Sequence, residues 1–120
     1  MTEIEAAFEI TGWDQQPYDE PAEGPALSRA TVRKRFSGAL AGESVAEVLI
    51  CGEAGYVVSE RVTGTLDGRA GTFVLQHGAA TDGTSFGHVV PGSGTGALTG
   101  LRGTALVAHE QLALDYELDG

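Results

Sequence analysis

Sulfur is nearly absent from this chain: one cysteine, Cys51, and one methionine, Met1, in 120 residues. A lone cysteine excludes an intrachain disulfide, so the fold must stand on its core. Positive charge is scarce too. Seven Lys and Arg face 17 Asp and Glu, a formal net charge of −10. That shortage argues against nucleic acid as a partner, because Lys and Arg supply most of that affinity by neutralising phosphates. It argues against anionic membrane surfaces for the same reason. No apolar run approaches the roughly 20 residues of a membrane-spanning helix. Glu3 and Glu5 interrupt any signal-like stretch after Met1. The expectation is a cytoplasmic protein.

Missing as well is any convincing 3.6-residue hydrophobic period. What is present is period-2 alternation, cut into short lengths by 18 glycines. Ile4, Ala6, Phe8 and Ile10 alternate with Glu5, Ala7, Glu9 and Thr11 over residues 4–12. Residues 27–37 place Ala30, Val32, Lys34 and Phe36 on one face and Arg29, Thr31, Arg33 and Arg35 on the other. Further strands are expected at 44–51, apolar on both faces around Glu47, and at 56–66, with Tyr56, Val58, Glu60, Val62 and Leu66 together. Asp67-Gly68 is a hairpin signal leading into 69–78. Strands at 86–90, about 102–109 and 111–118 complete eight. Three of the four prolines (Pro17, Pro21, Pro25) predict a loop at about 14–26, the longest in the chain. The reading is one all-β domain over 1–120: an eight-stranded antiparallel β-barrel of the lipocalin-like size that encloses side chains or one small ligand.

Few residues carry chemistry. Glu60 falls on the apolar face of its strand, between Val58 and Val62. A carboxylate facing a barrel interior is costly unless paired or protonated, and so is a candidate acid, base or charge stabiliser. Arg61, Arg69 and Lys34 are its candidate partners. His77 shares a face with Phe73 and Leu75 and could relay a proton. Gln76 points the opposite way in a regular strand. Trp13, Tyr56 and Tyr116 either line a pocket or fill the core. The three histidines lack metal-ligand spacing, so no metal is expected. Gly92-Ser93-Gly94-Thr95-Gly96-Ala97 formally fits a dinucleotide fingerprint, but Leu98-Thr99-Gly100-Leu101-Arg102-Gly103 cannot supply the helix that must follow. No cofactor is expected. The glycines there suit close approach of two chain segments at a barrel rim.

The stretch Glu60–Gly78, the stretch Val90–Gly103 and Leu114-Asp115-Tyr116 resemble the signature of the DUF3224 proteins over nearly the whole chain. That resemblance implies an allene-oxide-cyclase-like barrel of eight antiparallel strands and no particular activity. Phe8-Glu9-Ile10-Thr11 is similar to the first strand of allene oxide cyclase, whose cavity holds a Glu and, two residues on, an Asn. Glu9 matches the Glu, and Thr11 replaces the Asn. The resemblance turns Glu9 inward, whereas the alternation turns Phe8 and Ile10 inward.

Three functions stay open. In the first, the barrel is a cyclase or isomerase for a hydrophobic small molecule, with Glu9, Glu60 and His77 catalytic and Trp13, Tyr56, Gln76 and Tyr116 binding the ligand. In the second, it is a non-catalytic barrel for such a ligand. In the third, it is a structural module that self-associates into a homo-oligomer through the outer face of strand 44–51.

Overall fold

A computed structural model describes residues 1–118. Eight antiparallel strands run in chain order: β1 (Thr2–Asp19), β2 (Leu27–Gly38), β3 (Leu40–Cys51), β4 (Gly55–Leu66), β5 (Arg69–Ala80), β6 (Ser85–Val89), β7 (Arg102–Ala108) and β8 (Gln111–Glu117). Each pairs with the next, and β1 returns to β8, so the sheet closes. Among the described residues the only helix is one 3₁₀ turn, Gly96–Leu98, and none is long and apolar enough to cross a membrane.

The strands differ in length, and this shapes the barrel. Strand β1 pairs with β8 only through Thr2–Ala7, then continues along β2 to Asp19. Residues 14–19, expected in a loop, are therefore strand, and the loop shrinks to 20–26. Their proline and polar composition hides this. The segment pairs on one side only, and an edge strand tolerates Pro17 because a missing N–H costs nothing there. Between Ile10 and Gly12 the register slips by one residue at Thr11, a β-bulge. Inward positions thus pass from even numbers (Ala6, Phe8, Ile10) to odd ones (Trp13, Gln15).

One end of the barrel is plugged. The segment after β6 folds across it and buries Leu98 and Leu101 completely against Leu40, Leu66, Phe73, Leu112 and Leu114. Glycine permits the closeness. A Cβ on Gly94 would stand 1.9 Å from the Leu98 carbonyl oxygen, and one on Gly71 would stand 2.1 Å from that of Thr95. Thr95 Oγ1 also accepts the Thr72 N–H at 3.1 Å, and Ser93 Oγ accepts that of Val74 at 3.0 Å. The glycine run, expected to bring two chain segments close at a barrel rim, forms this plug.

A second, smaller apolar cluster (Ala30, Val32, Ala46, Val48, Val58) lines the other half of the barrel. The outer faces of β3 and β4 are partly apolar, with Val45, Leu49 and Val57 exposed.

Candidate functional site

Among the described residues, the buried polar and charged side chains are Lys34, Ser44, Glu60 and His77. They come from β2, β3, β4 and β5, and ladder pairing explains why they meet. Lys34 is opposite Ser44, Ala46 is opposite Glu60, and Val58 is opposite His77. All project inward by the period-2 rule. Glu60 is only 1% exposed and is the hub. Its Oε1 accepts from Lys34 Nζ at 3.2 Å and from His77 Nε2 at 2.8 Å. Its Oε2 accepts from Ser44 Oγ at 2.5 Å. Lys34 Nζ also lies 4.5 Å from the centroid of the Phe8 ring, which attracts a cation. Burial pushes the Glu60 carboxyl up. The His77 hydrogen bond, the Lys34 charge and the Ser44 hydrogen bond outweigh it and hold the group below the usual glutamate value. Glu60 is therefore a carboxylate at neutral pH.

Beside this cluster opens a cavity of about 500 Å³, which Lys34 and His77 line together with apolar residues of β1 to β4. Val32, Val48 and Val58 form its walls, and the exposed Trp13, Tyr56, His109 and Glu110 stand at its rim. Trp13 is 56% exposed, and its Nε1 donates to Gln15 Oε1 at 3.0 Å. A depression of about 400 Å³ on the outer face, around Leu49, Val57 and Phe86, has no charged residue in its wall and no evident chemistry.

Of the expected site residues, Glu60 and His77 are in contact, and Trp13 and Tyr56 line the cavity that His77 also lines. The other three lie elsewhere. Glu9 precedes the bulge, so its side chain faces outward, where Arg35 Nη1 donates to Oε1 at 2.9 Å. Alternation, not the likeness to the cyclase strand, gives its direction. Gln76 also faces outward, with Nε2 3.4 Å from Ser59 Oγ. Tyr116 is buried in the plugged core and donates its hydroxyl to Asp67. Burial, then the Asp67 hydrogen bond and charge, push the Tyr116 phenol up. Lys34 and Ser44 were not singled out as site residues. The shared face of Lys34 with Val32 and Phe36 was a usable signal for it; Ser44 carried none beyond its spacing from Ala46 and Val48. No group of three or more His, Cys, Asp or Glu among the described residues could hold a metal ion.

Two comparisons place this barrel among known proteins. A family model described as "Protein of unknown function (DUF3224)" matches residues 4–119. A crystal structure of a protein of unknown function from the DUF3224 family, from Shewanella oneidensis MR-1, is similar over 100% of this chain and 99% of that one, with a TM-score of 0.84 and 33% identity. No curated protein matches.

Proposed function

Since this chain belongs to the DUF3224 family, whose description names no activity, we propose a function from its own interior: it binds one small, mostly apolar molecule in the open half of the barrel, with Lys34 and His77 as the polar contacts. The observation that carries this reading is the Glu60 cluster at the edge of an apolar-walled cavity. A buried ion pair is a weak source of stability, and apolar residues of similar volume often serve a fold as well or better. This cluster also sits where a ligand could reach it. The cavity volume is in the range of small-molecule sites, and apolar walls with a few placed polar groups are their usual lining.

A second reading, isomerase or cyclase chemistry, is favoured by one contact. Glu60 orients His77 through Nε2, the arrangement by which a carboxylate holds an imidazole ready as a general base. Binding is common to both readings and is tested first.

The test is native mass spectrometry of the protein as purified from cells, followed by titration with the neutral apolar fluorophore N-phenyl-1-naphthylamine. The expected result is a co-purifying apolar molecule or saturable binding of one fluorophore per chain, lost in the cavity-filling variant Val48→Phe. Absence of both a bound molecule and saturable binding would overturn the reading. So would equal binding by the filled variant.

A further inference from the structure

The cluster presents hydrogen bonds of both kinds in one small patch, which restricts the chemistry of what it holds. Lys34 has three N–H donors. One meets Glu60 Oε1, and the ammonium leans on the Phe8 ring. A further donor is left for the cavity that Lys34 lines. His77 uses Nε2 on the same oxygen. A carboxylate only accepts, so Nε2 carries the proton, and in the neutral ring Nδ1 is an acceptor. Glu60 itself is engaged at both oxygens. The charges of Glu60 and Lys34 cancel. A group seated here must accept from the ammonium, donate to the imidazole, and bring no net charge. A carboxyl group in its acid form does all three. With the proton moved to His77, the same complex has two cations interleaved with two carboxylates, an arrangement that strengthens both contacts. An alcohol gains nothing from that alternation.

We propose that the cavity takes an apolar molecule ending in a carboxylic acid, held by Lys34 and His77 and bound with one more proton than the free carboxylate carries. This rests on the cavity reading above. The surrounding charges agree. Glu60 from β4 bonds His77 and also holds Lys34 from β2 and Ser44 from β3, while Tyr56 of β4 and His109 and Glu110 of the β7–β8 turn line the same cavity as His77. Glu110 at the rim repels a carboxylate there and so directs the acid end inward.

The experiment is isothermal titration calorimetry of the full chain with decanoate, decanamide and decanol, in buffers of different ionisation enthalpy. At about pH 8, where imidazole is ordinarily neutral, decanoate binding takes up close to one proton per ligand. Its affinity falls about tenfold for each further pH unit, the slope that one linked proton requires. Decanamide and decanol show neither effect. His109→Gln retains the slope, and the paired variant Lys34→Met with Glu60→Gln binds decanoate no better than decanol. Binding of decanoate without proton uptake, or no tighter than decanol at neutral pH, overturns the acid class and leaves the cavity reading standing. Failure of all three probes to bind overturns both.

Discussion

Glu60 keeps its charge inside a barrel because three donors meet it there: His77, Lys34 and Ser44. Its carboxyl titrates below the usual glutamate value in the folded chain. The sign follows from linkage. A folded value below the unfolded one, about 4.3 for glutamate, contributes stability that is present above the unfolded value and lost as pH falls through the folded one. Urea denaturation between neutral pH and about pH 3 should therefore show a loss of stability on acidification that is partly absent in Glu60→Gln. That variant also leaves Lys34 buried without its countercharge, at a cost of about 3–5 kcal/mol at neutral pH. Adding Lys34→Met should restore most of it, since no unpaired charge then remains buried. A single variant as stable as the wild type would mean that the cluster is not charged as described. Glu60 and His77 were legible in the sequence because period-2 alternation fixes direction once a strand's apolar face is known. Glu9 was legible in the same way, and the likeness to the cyclase strand pointed wrongly. The sequence offered Lys34 as one of three candidate partners of Glu60 but could not choose among them, and it gave no sign of Ser44, because cross-strand register depends on turns rather than on the strand's own composition.

At the scale of elements, two segments whose composition gave mixed signals explain the asymmetry of the barrel. The first is β1. Its second half, Asp14 to Asp19, is polar and contains Pro17, so it reads as loop, yet it is a ladder partner of β2 from Thr31 to Leu27. The bulge at Thr11 is equally hidden, and it decides that Trp13 faces the cavity. The second is the glycine plug. Its glycines implied a close approach of two chain segments but did not show which end of the barrel they would close. Two kinds of glycine can be separated there by experiment. Gly94 has the Leu98 carbonyl oxygen where a Cβ would go, whereas Gly92 has a left-handed φ of 82° and open space around it. Gly94→Ala should cost about 3 kcal/mol or more, because backbone must move. Gly92→Ala should cost only about 1–2 kcal/mol of conformational strain. Urea midpoints of the two variants check this, and equal losses would refute the plug's tight seating.

Across the whole molecule, the barrel is anchored at one end and open at the other. The plugged end combines its larger apolar cluster with ladders on every side of β1 and β8, whereas β1 beyond Ala7 has β2 as its only ladder partner. Local opening is cheapest where backbone hydrogen bonds are exposed and few apolar contacts must be broken. Hydrogen exchange should therefore divide the chain. Amides of β8 and of β5 between Phe73 and Leu75 should exchange near the global unfolding limit, and those of residues 10–19 far sooner. The same gradient bears on function. A molecule seated against Trp13, Val48 and Tyr56 touches the weakly held half, so its binding should slow exchange in residues 10–19 and leave the plugged end unchanged. The measurement is hydrogen exchange followed by mass spectrometry, with and without decanoate. Protection confined to the outer face around Leu49 and Phe86 would instead place the binding surface outside the barrel. A uniform exchange profile would mean that the two halves open as one unit, and the open end would then be as rigid as the plug.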